Sequence, residues 1–172
     1  MSDRSMTKWG SLSFLALALS VMFSAAVFAD PVADADSVND AFYKATAACD
    51  IPAVLNLYED NAVVIWPGQG EFAVGKPAFQ KILKTYCGGG VKQSFKVVSS
   101  DARPVGKDYI VHFGQLEVTT QGPDGKPVTQ RVRTDELLHK SGGKWRYEID
   151  HASVGLPPPP STASGAPNND SK

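Results

Sequence analysis

Asp135 and His151 are the side chains whose type and position best suit proton transfer, and they sit, with Asp150 beside them, on two runs joined by Ser141, Gly142 and Gly143. A carboxyl or an imidazole works as a general acid or base only when its surroundings bring its pKa near the working pH. If Gly142 and Gly143 form a two-residue hairpin loop, Ser141 pairs with Lys144 and Asp135 falls opposite Asp150. A three-residue loop would shift the pairing by one. Like charge and desolvation raise a carboxyl in such a pair and give a neutral donor, whereas a close Arg133 lowers it and gives a fixed anion. His151, with Ser153 nearby, is a candidate general base or ligand contact, against the more common case of an interface or core histidine. Phe42, Tyr58, Trp66 and Phe72 would supply an aromatic wall for a ring or acyl ligand, or plain core.

Other chemistries find little support. His112 and His139 do not stand at metal-ligand spacing with His151, and Cys49 and Cys87 lack the CxxC spacing of a redox motif or zinc site. The two cysteines are candidates for a disulfide. No metal and no cofactor is expected. The formal net charge of -1 leaves no electrostatic footprint for nucleic acid or an acidic membrane surface.

The elements that must position these residues can be read in order. Val38, Phe42, Ala45 and Thr46 recur at helical spacing, with Asp36, Ser37 or Asn39 as N-cap. Pro52 suits the first turn of a second helix carrying Val54, Leu55 and Tyr58. Ala62 to Trp66 is a compact strand, Phe72 to Val74 a short partner, and Phe79, Ile82, Leu83 and Tyr86 stripe a third helix that Gly88 to Gly90 end. From Val91 onward the pattern is strand: Ser94 to Ser99, Tyr109 to Thr120, Val128 to Lys140 and Lys144 to Val154. Helices followed by a run of strands predict an α+β domain with helices packed on one face of a curved sheet. In the final hairpin, alternation puts Val132, Thr134, Glu136, Leu138, Trp145, Tyr147, Ile149 and His151 on the greasier face, and Asp135 and Asp150 on the other.

Residues 1–29 are expected to be a signal peptide. Arg4 and Lys8 precede an apolar run from Leu12 to Phe28, and Val27 to Ala29 has the small-residue pattern of a cleavage site; a retained anchor is the alternative. Residues 30–156 are then the folded domain and residues 157–172, opening on four prolines, a disordered tail. The mature protein is expected to be exported, periplasmic in a Gram-negative host and otherwise secreted, with no stable membrane insertion after cleavage.

The residues AFYKATAACDIPAVLNLYEDNAVVIWPG, then VGKPAFQKIL, then GGKWRYEIDHASV resemble the nuclear transport factor 2-like superfamily. The nearest branches are the SnoaL-like and ketosteroid-isomerase-like exported proteins and the association domain of calcium/calmodulin-dependent kinase II. The resemblance implies a cone-shaped half-barrel, in which a strongly bent, mainly antiparallel sheet and three helices enclose a pocket, with dimers formed through the sheet. It aims Asp135 into that pocket. The steroid isomerase's base position falls on Trp66 and its tyrosine on Phe42, and neither can do that chemistry. Ala152 replaces the arginine of the kinase domain's terminal motif. The expected function is an exported, homodimeric domain that binds a small hydrophobic or aromatic ligand in a partly aromatic, partly charged pocket. Phe42, Tyr58, Trp66, Phe72, Arg133 and Asp150 would be its contacts. The alternatives are an isomerase, hydratase or cyclase acting through Asp135 and His151, and an envelope assembly module.

Overall fold

The computed structural model describes residues 30–68, 70–88, 92–122 and 124–155, so the expected signal segment and proline-rich tail lie outside it. The first helix, α1 (Pro31–Ala47), starts a turn and a half earlier than the apolar period suggests. Asp30 is the reason: its carboxylate accepts from Val32 N at 3.0 Å, and Pro31 needs no donor in the first turn. The helix ends with Cys49 in the left-handed region at φ 53°. There Asp50 N donates to Ala45 O at 2.9 Å and Cys49 N to Thr46 O at 3.0 Å, which satisfies the last carbonyls in the manner usual for glycine. Asp50 then caps α2 (Ile51–Asn56) by accepting from Ala53 N at 3.0 Å.

Tyr58 belongs not to α2 but to the strand that follows. The remaining elements are β1 (Tyr58–Ile65), β2 (Ala73–Val74), α3 (Lys76–Gly88), β3 (Ser94–Val105), β4 (Tyr109–Gln121), β5 (Pro127–Ser141) and β6 (Lys144–Val154). They form one open sheet in the order β2-β1-β6-β5-β4-β3. The β1–β6 pairing is parallel and the rest antiparallel. This is the expected α+β cone, with the helices across one face. Val54, Tyr58, Phe79, Leu83, Leu138 and Tyr147 are buried between the two layers. Cys49 and Cys87 are bonded, with Cα atoms 5.7 Å apart, and so tie the α1–α2 corner to the end of α3. Closing a loop of this length stabilises by about 4 kcal/mol in the chain-entropy account.

The last hairpin turns as expected, with Gly142 at φ 58° and Gly143 at φ 77° and Ser141 opposite Lys144. Beyond Tyr147 the register differs. Leu138 pairs with Tyr147 but Leu137 with Ile149, so Glu148 is an extra residue, a β-bulge. Asp135 therefore faces His151, and Glu136 faces Asp150. A bulge reverses the alternation after it: Tyr147 and Asp150 both point into the cone, while Ile149 and His151 point out. A second extra residue, Val98, does the same on β3, where Val97 pairs with Leu116 and Ser99 with Gln115. It turns Ser100 and Ala102 inward.

Candidate functional site: a buried carboxyl at the floor of the cone

Between the helices and the sheet lies a cavity of about 190 Å³. Phe42 and Tyr43 of α1, Trp66 after β1, Tyr86 of α3, Phe95 of β3 and Tyr147 of β6 wall it. Phe42 meets Trp66 edge-on with ring centroids 5.9 Å apart and Tyr147 at 6.0 Å, and Tyr43 stacks on Phe95 at 5.1 Å. Edge-on and stacked arrangements of this kind are the ones aromatic pairs favour.

Asp150 sits at the polar end of this cavity. Tyr58 Oη donates to its Oδ2 at 2.5 Å and Trp66 Nε1 to the same oxygen at 2.9 Å. Burial raises its pKa from 3.8 to about 7, with the nearby Glu136 adding to the rise; the Tyr58 and Trp66 hydrogen bonds, and more weakly His151, pull the other way. Burial first, and then the Asp150 charge, holds the Tyr58 phenol well above its ordinary range, so it remains a donor.

Glu136 lines the same cavity and leads to a second group of polar side chains behind the wall. Its Oε2 makes a short hydrogen bond to His112 Nδ1, with both side chains buried. His112 Nε2 lies 3.0 Å from Ser100 Oγ, and Ser100 gives its own proton to Asp36 Oδ1 at 2.6 Å. Ser100 must then accept from Nε2–H, which leaves the other shared proton between Nδ1 and Glu136. Asn39 Nδ2 lies 3.3 Å from His112 Nδ1, and its Oδ1 accepts from Tyr147 Oη at 2.6 Å. Gly114 makes room for this cluster: a Cβ there would stand 2.6 Å from Thr134 Oγ1 and 3.1 Å from His112 Cε1.

The residues expected from the sequence divide into two sets. Phe42, Trp66 and Asp150 line the cavity, and Tyr58, almost wholly buried beneath it, holds Asp150. Asp135, His151, Arg133 and Phe72 are not in it, and this corrects their assignment to a pocket. Asp135 and His151 pair with each other at 2.8 Å on the outer face of the sheet. On β5 the plain alternation prevails over the position implied by resemblance, because Val132, Thr134, Glu136 and Leu138 fill the inner side. The bulge at Glu148 carries His151 outward. Arg133 shares the outward phase of Asp135, and Phe72 is 63% exposed in the segment before β2. Glu136, His112, Asn39, Ser100 and Tyr147 are the additions. The signal for two of them was present, since His112 and Glu136 each interrupt an inward apolar period.

Among the described residues no group of three or more His, Cys, Asp or Glu is placed to hold a metal. Among them, too, no helix is long and apolar enough to cross a membrane.

Residues 35–157 match the family described as "SnoaL-like domain". No curated protein matches the sequence. Solved structures share the fold. A ketosteroid isomerase-like protein from Erwinia carotovora superposes with a TM-score of 0.64 at 23% identity, covering 76% of this chain and 100% of its own. A protein provisionally named a calcium/calmodulin-dependent protein kinase II association domain, from Xanthomonas campestris, gives 0.65 at 19% identity, covering 70% and 85%. One provisionally named a dehydratase of the NTF2-like family, from Streptomyces avermitilis, gives 0.63 at 18% identity, covering 74% and 98%.

Proposed function

Given that the chain belongs to the SnoaL-like domain family, we propose that its cone binds a small, largely apolar molecule with one polar end, and that the protein acts outside the cytoplasm as a homodimer. The observation that carries the binding reading is Asp150, a carboxyl set into an aromatic cavity and held there by Tyr58 and Trp66. A buried ionisable group weakens a fold that needs only a core, because an apolar residue of similar size packs there at lower cost. Its presence is explained by a ligand. A cavity of about 190 Å³ suits a ring system, since an apolar cavity of about 150 Å³ admits benzene.

Export is supported by the leader-like residues 1–29 and by the Cys49–Cys87 bond, since disulfides persist in oxidising compartments. The dimer is supported by the outer sheet face, where Val111, Leu137, Ile149 and Val63 form one cross-strand row and Phe113, Asp135, His151 and Ile65 the next. Native mass spectrometry of protein purified from its own host is expected to find one retained small molecule per chain, absent from a Trp66→Ala variant. An empty cavity in every preparation, together with no saturable quenching of tryptophan fluorescence by indole, overturns the binding reading.

The second reading is proton-transfer catalysis of the isomerase, hydratase or cyclase kind, and the Asp150 pKa of about 7 favours it. A group balanced near neutrality both takes and returns a proton. In this reading the acid/base role belongs to Asp150 rather than to Asp135 and His151. The expected result is exchange of the α-protons of cyclic ketones at neutral pH, lost in Asp150→Asn; equal exchange by the variant rules it out.

A further inference from the structure

We infer that the polar end of the ligand is a protonated amine, an inference that rests on reading the cavity as a ligand site. The lining supplies two carboxyls, Glu136 and Asp150, and among its described residues no lysine, arginine or histidine. A carboxylate or phosphate would add negative charge to a desolvated floor with no cation to meet it. The same floor suits the opposite sign.

The compensation of the two carboxyls is unequal. Glu136 has His112 behind it, bonded to Oε2 from the far side of the wall. Asp150 receives only neutral dipoles, the phenol of Tyr58 and the indole of Trp66, and both converge on Oδ2. Once Asp150 is ionised, no cationic side chain of the described lining stands against it. An ammonium group offers three N–H donors and no acceptor, enough to serve both Asp150 and Glu136. A hydroxyl offers one.

The walls agree with this assignment. Ring faces attract cations electrostatically, most strongly where water is excluded, and Phe42, Trp66, Phe95 and Tyr147 surround the floor. An amine carried on an aromatic or cyclic body would place its apolar part against these rings and its charge against the carboxyls.

Binding of a cation must also draw the proton from Asp150, whose pKa burial raises to about 7. The other titratable groups facing it are Glu136 from β5, Tyr43 from α1, Tyr58 from β1, Tyr86 from α3, and Tyr147 and, across the strand, His151 from β6. Tyr43, Tyr58 and Tyr147 are all held above their ordinary range by burial and remain neutral. The affinity for an amine therefore rises with pH between about 5.5 and 8 as Asp150 gives up its proton.

Calorimetry of the intact protein with 2-phenylethylamine, 2-phenylethanol and phenylacetate tests the inference. The amine is expected to bind at least about tenfold more tightly than the alcohol at pH 8 and to release a proton on binding at pH 6, read as a dependence of the heat on buffer. The acid is expected not to saturate. In Asp150→Asn the preference for the amine should vanish while the alcohol still binds. If the alcohol binds as tightly as the amine, or the acid binds best, the amine assignment fails and the cavity reading stands. If none of the three binds, both fail.

Discussion

Asp150 keeps a proton in the folded protein that it gives up in the unfolded chain. Its pKa rises from 3.8 to about 7 on folding, so between those values the folded state binds more protons, and stability must fall as pH rises. A shift of that size corresponds to roughly 4 kcal/mol, complete above pH 7 and lost as the pH falls toward 4. Asp150→Asn keeps an acceptor for Tyr58 and Trp66 but no titration. Urea unfolding at pH 4 and pH 8 should therefore show the wild type losing about 4 kcal/mol relative to the variant; parallel profiles would mean that Asp150 is ionised at its ordinary pKa. The sequence brought Asp150 to notice through its assumed pairing with Asp135, and the structure keeps it for a different reason, the hydrogen bonds from Tyr58 and Trp66. His112 was legible as well. It was set aside for want of metal-ligand spacing, although it occupies an inward position between Ile110 and Leu116 on β4. Ser100 and Asp36 were not legible, because their meeting depends on how α1 lies across β3.

At the scale of elements, two single-residue bulges decide which polar groups enter the cone. Helix count, strand order in sequence, the Gly142–Gly143 turn and the helix-end punctuation could all be read from spacing. Extra residues inside strands could not, because Glu148 and Val98 have no distinguishing composition and reveal themselves only through partners on the neighbouring strand. Alternation without the bulge puts Asp150 outside and Ile149 inside, as the sequence reading did. Deleting Glu148 joins Tyr147 directly to Ile149 and leaves Ile149 opposite Leu137 and Asp150 opposite Glu136, so Asp150 should stay inward. Carbon-detected NMR titration is expected to find the Asp150 carboxyl near 7 in the deletion as in Glu148→Ala. A deletion protein that folds but whose Asp150 titrates in the ordinary range would show that the pairing with Glu136 is not what holds Asp150 inward.

At the scale of the whole molecule, the outer sheet face carries large apolar side chains that the described residues leave exposed. Ile65, Phe113 and Ile149 remain 39%, 44% and 38% exposed on it. The proposed dimer predicts that the wild type sediments as a two-chain species at micromolar concentration, and that Phe113→Glu with Ile149→Glu sediments as one chain with an unchanged circular dichroism spectrum. A wild type that is monomeric throughout that range removes the dimer without touching the cavity. The parallel pairing of β1 with β6 has a further consequence, one of time. The residues joined by the Tyr58–Asp150 hydrogen bond are 92 apart in sequence, so the cone cannot close until its last strand has been made and has found its first. Such distant pairings carry a loop-closure cost before they gain anything, and they place a chain among the slower folders of its size. The floor of the cavity thus depends on a contact between the first and the last long strand, which no shorter N-terminal piece of the domain can make.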